Sequence, residues 1–205
     1  MMPKTLYLVR HAEAEHNIER RYPIPDAKLT PLGQSQARAL HNHTKDNIQQ
    51  SAQLLFTTPL TRAMNTTLLG FPDLQHRLES RYQRVIVSDL FLEVDNYACN
   101  IPIYPRSALA ASQDGAFAGF DFSGLREGYA TKEGFFAPEN IDEWVRLAKD
   151  WLCQREEQEI VIVAHANFFK RLVGRPKKSP NWGNTEIKVF AFKEGSGDLV
   201  EIEGL

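Results

Sequence analysis

The feature that most constrains this chain is a set of short apolar runs, each followed by a helix signal. Leu6-Tyr7-Leu8-Val9, Gln53-Leu54-Leu55-Phe56 and Ile160-Val161-Ile162-Val163-Ala164 lack the strict polar–apolar alternation of a sheet with one wet face. Such runs suit strands covered on both sides. Between them lie helical patterns. Thr30-Pro31 reads as an N-cap followed by proline at the first helical position, and Ala37, Leu40, Thr44 and Ile48 mark one face of the helix it opens. Thr57-Thr58-Pro59 repeats the cap-plus-proline pattern and predicts a helix ending near Gly70. Ile141, Trp144, Val145, Ala148, Trp151 and Leu152 form the clearest helical stripe; Phe168, Leu172 and Val173 form the inner face of another. Val85-Ile86-Val87 reads as a third strand, and Ile187 to Phe192 as a late strand at a sheet edge. The order predicts an α/β fold, a three-layer α/β/α sandwich with a mostly parallel sheet.

A chain of 205 residues suits one domain, 1–205, with a buried core. Residues 96–138, rich in Gly, Pro, Ser and aromatics, read as a lid-like excursion over one end of the sheet. No stretch approaches the roughly 20 apolar residues of a membrane span, and Met1-Met2-Pro3-Lys4-Thr5 leads into an apolar run too short for a signal sequence. With Cys99 and Cys153 as the two cysteines, a disulfide framework is not expected, and a cytoplasmic location is. The net charge of −2 argues against nucleic acid as a partner. One basic cluster stands out, Lys170, Arg171, Arg175, Lys177 and Lys178. It reads either as a solvated surface or as a rim that attracts anionic substrates.

Ligands of open α/β sheets bind beyond the carboxyl ends of the strands. Arg10 and His11 follow the first predicted strand, Arg62 lies in the helix after the second, Glu93 follows the third, and His165 follows the strand ending at Ala164. Two histidines, two arginines and a carboxylate at one edge suit phosphoryl transfer, which needs an in-line nucleophile, cations around the equatorial oxygens and a proton for the leaving group. Each has a duller reading, a core histidine or a surface arginine, but their coincidence at strand ends favours a site. Neither a Gly-rich phosphate loop nor a carboxylate cluster for magnesium is visible, so no cofactor and no metal is expected. His41 and His43, two residues apart in a helix, face different ways, and His16 carries no signal on its own.

The motifs fit a known pattern. Leu8-Val9-Arg10-His11-Ala12-Glu13, Asn17, the run Leu29 to Ala37, Thr58-Pro59-Leu60-Thr61-Arg62-Ala63 and Val163-Ala164-His165 with Phe168 together resemble the histidine phosphatase superfamily, also called phosphoglycerate mutase-like. Glu93-Val94, Ala98-Cys99, Lys132 to Pro138 and Trp182 to Glu186 resemble a fungal-type branch. The resemblance implies a phosphoglycerate mutase-like fold. His11 would be the phospho-acceptor, Arg10, Arg62 and His165 the phosphate pocket, Asn17 a further phosphate contact and Glu93 the proton donor, with Asp95 as its alternative. Two departures stand out. Ala12 replaces the signature glycine, and Cys99-Asn100-Ile101-Pro102 replaces Cys-Asp-Thr-Gly.

The leading expectation is a metal-independent phosphatase acting on a small phosphorylated substrate through a phosphohistidine on His11. A phosphomutase using the same intermediate and an idle binding protein on the same fold are the alternatives. The aromatic residues Phe117, Phe120, Phe122, Tyr129, Phe135 and Phe136 read either as an apolar lid or as a satellite core. Oligomeric state is not legible.

Overall fold

A computed structural model describes residues 4–180 and 182–202; Met1–Pro3 lie outside them. In chain order the elements are β1 (Thr5–Arg10), α1 (Pro31–Thr44), α2 (Ile48–Ser51), β2 (Leu54–Thr57), α3 (Thr61–Gly70), α4 (Pro72–Glu79), β3 (Ile86–Val87), α5 (Arg106–Leu109), α6 (Ile141–Gln154), β4 (Glu159–Ala164), α7 (Ala166–Leu172), β5 (Ile187–Phe192) and β6 (Leu199–Glu201), with short 3-10 turns between them. The strands form one sheet in the order β3-β2-β4-β1-β5-β6. The first four are mutually parallel, and β5 runs antiparallel to both β1 and β6. The apolar runs are buried as expected: Leu54, Leu55 and Phe56 are at most 3% exposed, and Ile160 to Ala164 are sealed. One face of the sheet carries α3 and α4 against β2 and β4. The other carries α6 and α7, with Trp151 of α6 meeting Phe56 and Phe91.

Three local expectations need correction. Ile48 does not extend α1: the helix stops at Thr44, and Asn47 caps the separate α2 through its side-chain oxygen. The second cap-plus-proline pattern does not start a helix either. The Thr58 hydroxyl is spent on His165, 2.9 Å away, and α3 begins at Thr61 with no side-chain cap from its own N-cap residue. Its first turn is instead capped from a distant loop. Asp26 accepts from the Thr61 backbone at 2.9 Å and from its hydroxyl at 2.6 Å. Finally, β5 is interior to the sheet, because β6 pairs along its outer side.

The segment 96–138 packs down on the sheet rather than standing off it. Asp121 bridges to Ile86 and exchanges backbone hydrogen bonds with Val85 and Val87, which covers the outer edge of β3. Phe117, Phe120, Phe122, Tyr129 and Phe136 are buried and continuous with the main core. Phe135 is half-buried beneath the Arg126 guanidinium.

Candidate active site

The carboxyl ends of β1, β2 and β4 lie side by side. The chain leaves β1 toward β2 and leaves β4 toward β5, so the connections from these two neighbours run in opposite directions, and ligands of such sheets sit beyond the carboxyl ends of the strands. His11 and His165 are the residues just past β1 and β4, and their ring centroids are 5.3 Å apart.

Each ring nitrogen of His11 has a defined neighbour. Nδ1 lies 2.7 Å from the Ala12 carbonyl, which can only accept, so Nδ1 carries the proton and Nε2 the free lone pair. Nε2 receives a long contact from Arg62 Nε at 3.3 Å. Burial, then the charges of Arg62 and Arg10, hold His11 well below the usual histidine range. Its ring is therefore neutral. His165 is held low in the same way, by burial first and by Arg62 next. Its Nε2 bonds Thr58, and its Nδ1 stands 3.5 Å from Arg62.

Arg62 is fully buried beneath these rings. Its other donors meet the Cys99 carbonyl and, at 2.8 Å, the Asn100 side-chain oxygen. Asn100 occupies the place of an acid in the resembling branch, so the guanidinium here faces a neutral amide. Among the described residues, neither Arg62 nor Arg10 has a carboxylate at ion-pair distance, whereas six other arginine–carboxylate pairs do form. Arg10 donates to the Trp182 carbonyl at 2.7 Å, and its Nε is buried without a partner. Unpaired buried cations are costly unless an anion joins them.

Glu93 completes the wall. It is 8% exposed and accepts from the Val94 and Phe168 backbones at 2.9 and 3.1 Å. Burial raises its pKa, against the opposing pull of Val94, Arg62 and Lys132. Asp95, the alternative acid, is committed instead to Lys177 at 3.0 Å and to the Asn167 amide at 2.8 Å. The two carboxylates thus differ in environment: Glu93 is buried among backbone donors, and Asp95 is held by side chains.

A cavity of about 280 Å³ opens over this floor, lined by Arg10, His11, Asn17, Glu93 and Asn167 among others. From the 96–138 excursion it takes Tyr97, Cys99 and Asn100; none of the buried phenylalanines reaches it. Arg62 and His165 lie below its surface. Asn17 takes its place through a local turn, accepting from the Ala14 backbone at 3.0 Å.

Three residues at the site escaped the sequence reading. His16 lines the cavity 5.5 Å from the His11 ring. Burial, with Arg62 and Arg10, lowers its pKa to about 3. Its signal was available as the sixth residue of the motif that begins at His11. Lys132 is buried, donates to the Glu93 carbonyl, and has its pKa lowered by burial to about 8. Asn184, in the turn that leads into β5, donates to the His11 carbonyl at 3.0 Å. Those last two lie in segments that the resemblance singled out, Lys132 to Pro138 and Trp182 to Glu186, but neither was given a role there. Ala12 sits outside the left-handed region, so its methyl is compatible with the backbone there.

Fold and site define an α/β protein with a pocket built from two neutral histidines and two arginines without carboxylate partners, at the carboxyl edge of its parallel strands. Residues 6–82 match the family model described as "Histidine phosphatase superfamily (branch 1)". Over that segment, and in the relatives that follow, the chain is similar to members of the histidine phosphatase superfamily. It is 38% identical to phosphoglycerate mutase-like protein 2 of Arabidopsis thaliana across 80% of this chain and 64% of the relative. It is 29% identical to a Schizosaccharomyces pombe protein named as a probable phosphatase, across 60% of this chain and 54% of that one. The chain thus spans between about half and two thirds of the length of these relatives. In fold it is similar to a phosphoserine phosphatase mutant from Entamoeba histolytica solved with phosphoserine (TM-score 0.60, 21% identity, 97% and 95% of the two chains covered). It is also similar to the alpha-ribazole phosphatase from Shigella flexneri (TM-score 0.58, 20% identity, 97% and 94% covered). Among the described residues, no helix is long and apolar enough to cross a membrane.

Proposed function

We propose that this chain is a phosphatase that hydrolyses small phosphomonoesters through a phosphohistidine on His11, without a metal ion. One observation carries the reading: a neutral imidazole with a free Nε2 lone pair stands against two arginines that lack carboxylate partners. A phosphate dianion would compensate both guanidiniums through forked contacts, while the neutral ring can attack.

In the first step the Nε2 lone pair attacks phosphorus as the bond to the ester oxygen breaks. Glu93, whose pKa burial raises, serves as the acid and gives a proton to the departing oxygen. The Ala12 carbonyl accepts from Nδ1–H and steadies the positive ring so formed. In the second step Glu93 takes a proton from water. The water oxygen attacks phosphorus, the N–P bond breaks, and inorganic phosphate leaves with the imidazole neutral again. Arg10, Arg62, His165 and Asn17 hold the equatorial oxygens; for Arg62 this exchanges the long contact to Nε2 for charge-assisted bonds.

We read residues 1–205 as a single domain whose 96–138 excursion closes one side of the cavity. Its two free cysteines suit a reducing compartment, the cytosol. The test is incubation with p-nitrophenyl phosphate and a panel of sugar phosphates, with and without chelator, beside His11→Ala. Release that survives chelation and vanishes in the variant supports the reading. No release from any substrate overturns it in favour of an anion-binding protein. Movement of phosphate within a substrate, without release, overturns it in favour of a mutase.

A further inference from the structure

Beside the main cavity lies a smaller one, of about 130 Å³, whose lining includes Asp95, Ile141, Asn167, Lys170, Arg171 and Lys177. It shares Asp95 and Asn167 with the cavity over His11, so the two meet at a common wall. Three of the five cations in the basic sequence cluster converge here. The others go elsewhere: Arg175 pairs with Glu201, and Lys178 is solvent-exposed outside the lining.

The charges in this cavity do not cancel. Lys177 and the Asn167 amide together satisfy the single carboxylate, Asp95. Lys170 is 4% exposed, and its ammonium meets a carbonyl, that of Lys177, at 2.9 Å. Among the described residues, Arg171 has no side-chain hydrogen bond or ion pair. With Lys177 paired to Asp95, two cations, Lys170 and Arg171, remain in the lining without a carboxylate partner. A buried ammonium without a counter-ion is unfavourable unless an anion arrives. The volume falls well below the roughly 300 Å³ at which pockets take whole small molecules. It suits one functional group rather than a ligand of its own.

We propose that this side cavity is a second anion subsite, which holds a carboxylate or phosphate at the far end of a phosphomonoester whose reacting phosphate stands at His11. The proposal rests on the phosphatase reading and narrows it to substrates with two anionic ends. Asp95 divides the two anions, and its pairing with Lys177 and Asn167 keeps it from repelling either.

Three compounds on one skeleton test this: glycerol 3-phosphate, with an uncharged tail; 3-phosphoglycerate, with a carboxylate tail; and glycerol 1,3-bisphosphate, with a second phosphate. The wild-type chain is expected to prefer an anion-tailed compound over glycerol 3-phosphate by at least about tenfold in kcat/KM, the worth of one charge-assisted hydrogen bond. Which of the two is preferred identifies the group. In Arg171→Gln that ratio falls toward one. It also shrinks with added salt in the wild type, since Arg171 is exposed. Equal kcat/KM for all three, or a preference that survives Arg171→Gln, overturns the subsite while leaving the phosphatase reading intact. Calorimetric binding of the same compounds to His11→Ala separates the two claims from the other side. Tail-dependent affinity that is lost in His11→Ala/Arg171→Gln upholds the subsite even where no hydrolysis occurs, and tail-independent affinity overturns it.

Discussion

Glu93 and Asp95 show how environment, more than residue type, divides labour between neighbouring carboxylates. Both line the same cavity; Glu93 is buried among backbone donors while Asp95 is tied to Lys177. On the proposed mechanism, Glu93→Gln lowers kcat for alkyl phosphates by about 10²- to 10³-fold, the usual worth of a general acid. In kcat/KM, which reports the first step alone, it costs far less for p-nitrophenyl phosphate, whose leaving group departs without a proton; the second step, where Glu93 is the base, slows for both. The sign of the pH dependence follows from the upward shift. The protonated, active form exists below the folded pKa, so activity falls as pH rises through that raised value. Steady-state pH profiles of both proteins check this, and a basic limb unchanged in Glu93→Gln would exclude Glu93 as the acid. Asp95→Asn is expected to leave that limb in place. Distinguishing these two residues lay beyond the sequence, because both sit two positions apart after the same strand and only burial separates them.

At the scale of elements, the loop after β1 is held by the start of α1. Thr30 caps that helix, accepting from the Gly33 backbone at 2.9 Å, and also donates to the Glu13 carboxylate at 2.7 Å. Gly33 lies so close to this loop that an added Cβ would stand 1.9 Å from the Glu13 carbonyl oxygen. That approach explains a glycine inside a helix, where it otherwise weakens the element. Gly33→Ala must push α1 away from the segment carrying His11, at a cost of about 1–3 kcal/mol, typical of overpacking. Urea unfolding measures it, with Gly124→Ala as the control, since its added Cβ would meet nothing nearer than 4.0 Å. Equal midpoints for the two variants would refute the close-packing account. The Thr30-Pro31 start was legible because its cap is local. The start of α3 was not, because its cap is Asp26, 35 residues away, and the local threonine serves His165 instead.

Over the whole molecule, the site is a store of uncharged histidine. His11, His16 and His165 all have pKa values depressed by burial, His16 to about 3 from an ordinary 6.5. A depressed pKa contributes stability above the unfolded value, and that stability is lost as pH falls toward the folded one. Between these limits the unfolded chain binds more protons, and each such histidine removes about 1.4 kcal/mol per pH unit. The raised carboxyls Glu93, Asp26 and Asp89 act with the opposite sign, holding protons in the folded state, but only where pH comes down to their own range. Calorimetry from about pH 8 downward is therefore expected to show Tm falling once pH drops below 6.5, with a shallower fall in His16→Gln. A flat Tm across that interval would contradict the buried neutral rings. The sequence by itself determined the layered α/β architecture and the motif residues at the strand ends, because apolar runs, a local cap and short motifs are properties of neighbouring residues. Tertiary structure decided the rest: the capping of α3 by Asp26, the burial of Arg62 without a carboxylate, the approach of Lys132 and Asn184, and the entry of His16 into the cavity. These depend on which distant segments share a desolvated space, and the free energy of a buried charge is set by all its neighbours together.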